Sequence, residues 1–157
     1  MNDIASLDLK AIVSEAIDEV CKTMLSMEVE IKSEAAGDIP EKERIVGSVS
    51  LAGGISGSCH VHLPRSFAFS MAGAMLNAEP DELEQEDVED AVGEICNMIG
   101  GTLKSQLNNN GFSCALSIPS ITAGNDFHIQ STGWLKKEQL FFQHEQNRAL
   151  VEVFIKP

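Results

Sequence analysis

From Glu86 to Asn108 the chain reads EDVEDAVGEICNMIGGTLKSQLN, and this stretch limits the possible folds more than any other. Val88, Val92, Ile95, Ile99 and Leu103 recur with Ala91 and Thr102 beside them, which at about 100° per residue is one stripe of an amphipathic helix. That stripe should face a core. The opposite stripe collects Asp87, Asp90, Glu94, Asn97, Gly101, Lys104 and Asn108, so the Glu94 carboxylate and the Asn97 amide stand as exposed neighbours one turn apart. Alone, such a stripe is an ordinary solvated face. The glycines add information, because Gly93, Gly100 and Gly101 each cost roughly 1 kcal/mol relative to alanine inside a helix. Gly93 and Gly100 fall on the border of the two stripes, where a missing side chain lets a second helix approach. Gly101 lies on the exposed stripe one turn beyond Asn97. Its vacancy either suits an incoming partner surface or merely follows its neighbour's packing.

A second amphipathic helix is predicted near the start, capped by Ser6 or Asp8 and running to about Met27, with Leu9, Ile12, Val13, Ala16, Ile17, Val20, Met24 and Leu25 at helical spacing. Alternation follows: MEVEIKSE, then ERIVGSVSL and, past Gly53-Gly54, ISGSCHVHL, read as three antiparallel strands. Pro64 opens a short helix through Met75, and NAEPDELEQED is an acidic lead into the central helix, with Asp81 or Asp87 as its cap. Asn108-Asn109-Asn110-Gly111 is a turn that closes that helix. FSCALSIPSIT, DFHIQST, EQLFFQHEQ and ALVEVFIKP are strand-like. The expected fold is α+β: a mostly antiparallel sheet of six or seven strands, two long helices side by side on one face, and a short third helix.

At 157 residues and 43% hydrophobic, the chain suits one domain spanning 1–157. Lys and Arg total 11 against 24 Asp and Glu, a formal charge of −13, which opposes binding to nucleic acid or an anionic membrane. No apolar run approaches the roughly 18 residues of a membrane span. Cys21, Cys59, Cys96 and Cys114 form no C-x-x-C pair, and the first residues carry no basic region before an apolar one. Reduced thiols in a cytoplasm are expected.

His60 and His62 share a strand face, yet the nearby acids and thiols have no ligand spacing, so no metal site is expected. His128 and His144 are isolated, and no P-loop, dinucleotide fingerprint or Gly-x-Ser-x-Gly motif occurs. Gly53-Gly54 with Gly57 fits a strand connection better than a phosphate cradle. Glu94 and Asn97 remain the best candidates for chemistry. They lack a nucleophile with a neighbouring base, but an amide can donate to one atom and accept from another and so hold a water in line with a phosphoryl group. Such a helix could complete another protein's active site.

Asp90-x-x-x-Glu94-x-x-Asn97, followed by Pro119 in SIPSIT, resembles the signature of the CheC, CheX and FliY family of chemotaxis phosphatases, most closely its CheX branch. CKTMLSMEVEI and GGISG add to the likeness. The resemblance implies dephosphorylation of a phosphorylated CheY-type receiver, in chemotaxis or related two-component signalling, by insertion of this motif into the receiver's active site. Asn97 would orient the attacking water and Glu94 would pair with the receiver's lysine. Asp90, Gly101 and Lys104 would lie against the partner. The protein would need no cofactor of its own, since Mg2+ would belong to the receiver, and a homodimer joined at sheet edges is implied, with EQLFFQHEQ and ALVEVFIKP as apolar strands in need of cover.

A weak internal repeat lays SEAIDEVCKTML on GEICNMIGGTL, pairing Glu15 with Glu94, Asp18 with Asn97 and Thr23 with Thr102. It reflects either pseudo-symmetric halves or chance likeness between two amphipathic helices. Asp18 in place of Asn supplies no amide and repels a phosphoryl group, so Glu15 and Asp18 would be a degenerate second motif. A different class of function is a non-catalytic adaptor that binds a receiver or flagellar partner through the same surface without turnover.

Overall fold

The computed structural model describes residues 3–33, 43–125, 127 and 129–156. Leu9–Leu25 forms α1, capped by Asp8, whose Oδ1 accepts from the Ala11 N–H at 3.1 Å. Ser26 ends it in the left-handed region at φ 52°. The chain continues through β1 (Glu30–Lys32), β2 (Glu43–Gly53), β3 (Ser56–Pro64), α2 (Arg65–Leu76), α3 (Gln85–Asn109), β4 (Cys114–Leu116), β5 (Ser120–Asn125), β6 (Lys136–His144) and β7 (Asn147–Lys156). Glu84, rather than Asp81 or Asp87, caps α3. Asp87 accepts the Glu84 backbone N–H at 3.2 Å from the third helical position, while Asp81 belongs to a separate 3-10 turn, Pro80–Glu82.

Among the described residues the strands form one seven-stranded sheet in the order β1-β6-β7-β3-β2-β4, with β5 also paired to β2, and every pairing is antiparallel. Period-2 alternation sends Ile45, Val49, Leu51, Cys59, Val61, Leu63, Leu140, Phe142, Val151, Val153 and Ile155 into one buried layer with the apolar stripes of the helices. Within that layer α1 lies over β6 and beside α3, and α3 lies over β2 and β4. The expected α+β architecture is present.

Several sequence expectations need correction. MEVEIKSE contributes only the short β1, which pairs with β6 at the far side of the sheet from β2; its Glu34 lies outside the described residues. FSCALSIPSIT is broken into β4 and β5 at Ser117-Ile118-Pro119, because Pro119 has no N–H for the ladder. The expected strand DFHIQST is absent among its described residues; Asp126 and His128 lie outside them. Four strand spacings of about 4.8 Å, or roughly 19 Å, separate β5 from β6, and this segment is used in the crossing. EQLFFQHEQ and ALVEVFIKP are interior strands β6 and β7, so they leave no sticky edge. The outer strands are β1 on one side and β4 with β5 on the other.

Candidate active site on the long helix

Gly93 and Gly100 of α3 admit the sheet and its β4–β5 edge, not a second helix. A Cβ on Gly100 would stand 2.8 Å from Val49 Cγ2 and 3.1 Å from Leu116 Cδ1, and one on Gly93 would touch Pro119 and Ile121 at 3.7 Å. Beneath them Gly47 of β2 faces Cys96, where an added Cβ would meet the Cys96 Cβ at 2.9 Å. The helix therefore rests close on β2 and on the β4–β5 edge. Gly93, Asn97 and Gly100 follow one another at i, i+4 and i+7, so Asn97 stands on the ridge between the two seats.

Seen around the helix, a polar strip is left open between α1 on one side and the β4–β5 connection on the other. Asp90 and Glu94 are exposed there, and Asn97, Gly101 and Lys104 are half-buried. Neither the Glu94 nor the Asn97 side chain makes a hydrogen bond or ion pair with another described residue, so carboxylate and amide are both free to engage a partner. Gly101 has nothing within 4 Å of a built Cβ, so it sits in open space and does not follow its neighbour's packing. It lines a shallow cleft of about 300 Å³ between α1 and α3, with Glu19, Val20, Thr23, Met24, Met98, Thr102 and Ser105.

The α1 counterpart differs. Glu15 is exposed, but Asp18 is tied to Lys22 at 3.5 Å, so its carboxylate already has a cation. Thr23 and Thr102, which the internal repeat aligns, both line the inter-helical cleft.

Away from this strip, the sheet face opposite the helices holds a polar cluster that sequence reading missed in part. His62 Nε2 lies 2.6 Å from Glu152 Oε1, Gln139 donates to Glu152 Oε2, and His60 bonds Ser48 and Ser58 at 2.7 and 3.0 Å. Burial pushes the Glu152 carboxyl up, but the bonds from His62 and Gln139 outweigh it and hold the group below its ordinary range. Burial, aided by His62, holds His60 below its ordinary value. Both ring nitrogens of His60 are satisfied by the serines, whereas His62 faces Glu152 through Nε2 and its buried Nδ1 has no hydrogen-bond partner among the described residues. No group of three or more His, Cys, Asp or Glu side chains among the described residues could hold a metal ion. The period-2 pattern of ALVEVFIKP does put Glu152 on the face opposite Val151 and Val153, but its pairing with His60 depends on strand order. Cys21, Cys59, Cys96 and Cys114 are buried free thiols; burial raises Cys21 and Cys96 to about 12, which leaves them unreactive.

An antiparallel sheet backed by two long helices is the architecture of a known group of chemotaxis proteins. A family model described as chemotaxis phosphatase CheX matches residues 45–143, and the chain belongs to that family. It is 25% identical over 123 residues to the CheY-P phosphatase CheX of Thermotoga maritima, covering 78% of this chain and 79% of that one. Its fold is similar to the crystal structure of chemotaxis protein CheX from Vibrio vulnificus, with a TM-score of 0.81 at 23% identity over 96% of this chain and 97% of that one. It is also similar to CheX in the CheX–CheY–BeF3–Mg2+ complex from Borrelia burgdorferi, with a TM-score of 0.76 at 21% identity over 96% and 99% of the two chains. No helix among the described residues is long and apolar enough to cross a membrane.

Proposed function

We propose that this protein is a cytoplasmic phosphatase of a phosphorylated CheY-type receiver and acts by inserting Glu94 and Asn97 into the receiver's active site. The observation that carries this reading is the open strip of α3, where an unpaired carboxylate and an unpaired amide stand one turn apart beside a vacant Gly101. Asp90 and Lys104 border the same strip and meet the partner there. The complex formed by the Borrelia relative supports a receiver as that partner.

In this reading Asn97 holds a water in line with the phosphorus. The water oxygen bonds to phosphorus as the bond to the receiver's aspartyl oxygen breaks, releasing inorganic phosphate and a free carboxylate. Such a transfer needs little covalent help and gains from positioning and charge, both of which an oriented amide supplies. Glu94 pairs with the receiver's lysine and fixes the docking, while Mg2+ comes with the receiver. Asp18, held by Lys22 and lacking an amide, leaves the first helix as a degenerate motif together with Glu15. The protein acts as a homodimer joined at a sheet edge, since β1 and the β4–β5 side leave backbone groups for another chain.

The test is the decay of phosphate from CheY-type receivers of the same genome, charged with acetyl phosphate, with and without the protein. Catalytic acceleration supports the enzyme. An unchanged rate together with binding to the BeF3-loaded receiver would favour the adaptor. Glu94→Ala should weaken that binding by roughly 1.5 to 3 kcal/mol, the scale of a shielded charge-assisted contact, and lower the rate with it.

A further inference from the structure

The connection between β4 and β5 carries an apolar side chain with no structural task. Ile118 is 87% exposed, more than Met24, Leu76, Trp134 or Leu135. A single exposed isoleucine is ordinary on a protein surface, and it is the support beneath this one that gives it meaning.

Leu116 packs at Gly100 and Pro119 at Gly93, so Ser117 and Ile118 bridge α3 across the level of Asn97. The bridge is locked to the sheet. The Ser117 N–H donates to the Ser50 carbonyl at 2.9 Å, Ser117 Oγ accepts from the Ser50 N–H at 2.8 Å, and the same hydroxyl donates to the Ile118 carbonyl at 3.0 Å. Pro119 further restricts the backbone of the residue before it to extended conformations, and branching at Cβ restricts its χ1. A side chain with this little freedom loses little entropy when a partner covers it.

We propose that Ile118 is a docking residue for the phosphorylated receiver, inserting into an apolar patch beside the phosphoryl site while Asn97 and Glu94 enter the site itself. The proposal rests on the phosphatase reading above and extends it to substrate selection. The opposite wall of the strip, α1, contributes Met24 and the inter-helical cleft, so the receiver is gripped on both sides of the polar pair.

Ile118→Ala and Ile118→Asp, made in the full chain, test this with the acetyl-phosphate-charged receiver as substrate. KM should rise about threefold for alanine and at least tenfold for aspartate, with kcat within twofold of wild type. Leu135→Asp, on an exposed residue next to β6 at the far side of the sheet, should change neither. An unaltered KM for Ile118→Asp, in a wild-type background that does accelerate decay, would overturn the proposal and leave the phosphatase reading intact. If wild type binds the BeF3-loaded receiver without accelerating decay, weaker binding by Ile118→Asp supports the docking role while the phosphatase reading fails; equal binding overturns it. Wild type that neither binds nor accelerates overturns both. A dimer that dissociates on Ile118→Asp assigns the residue to contact between copies and overturns the proposal.

Discussion

Replacing Gly101 by alanine puts a methyl group in the middle of α3 at a point where it meets nothing within 4 Å. The backbone there has ordinary helical dihedrals, since Gly101 is not among the residues at positive φ. The substitution should therefore recover most of the roughly 1 kcal/mol that glycine costs in a helix interior, which in a chain of this length raises Tm by about 2–4 °C. Gly100→Ala should act in the other direction. Its Cβ would lie 2.8 Å from Val49 Cγ2 and 3.1 Å from Leu116 Cδ1, and overpacking of that kind costs about 1–3 kcal/mol, enough to cancel or exceed the propensity gain. Thermal melts by circular dichroism read both changes. A Gly101→Ala protein that melts below wild type would refute the open-space reasoning. The same vacancy makes an activity prediction, because Gly101→Leu should keep or raise Tm while increasing KM for the phosphorylated receiver about tenfold. A KM within twofold of wild type would mean that the partner does not cover this part of α3.

Asp18→Ala removes only a partly exposed pair with Lys22, worth about 0.3–0.5 kcal/mol, so receiver-phosphate turnover should stay within about twofold; a tenfold loss would place the chemistry on α1 instead of α3. His60 has its folded pKa held below the ordinary 6.5, so the unfolded chain gains a proton that the folded one refuses as pH falls through that value. Tm should thus drop between about pH 7.5 and 5.5, and the drop should be shallower in His60→Gln; an equal slope would show that His60 does not set it. Sedimentation at micromolar concentration should give a dimer, and a monomer would remove the sheet-edge association.

Both long helices were legible because their apolar residues keep a 3.6 period over many turns, and that same period placed Glu94 and Asn97 on the exposed stripe. Asp8 was readable as a cap, since the side chain acts on its own helix end. Partners across the sheet were not readable. Alternation in MEVEIKSE and ALVEVFIKP gives a face to each residue but no neighbour, so neither the pairing of β1 with β6 nor the burial of Glu152 against His62 could be derived. Gly93 and Gly100 signalled close approach correctly in kind, yet only the tertiary fold identifies the approaching surface as Val49, Leu116, Pro119 and Ile121. The exposure of Ile118 was not legible because FSCALSIPSIT reads as one continuous strand, and that exposure follows from the break at Ser117-Ile118-Pro119.

The most direct test of the account is the turnover of Asn97→Ala on the phosphorylated receiver, measured with affinity for the BeF3-loaded receiver as a parallel reading. The substitution removes the water-positioning amide and leaves the docking charge of Glu94. Turnover should fall by about two orders of magnitude, the scale of one lost positioning contact, while affinity and Tm stay close to wild type. Full turnover by Asn97→Ala would contradict the mechanism and move the adaptor reading ahead.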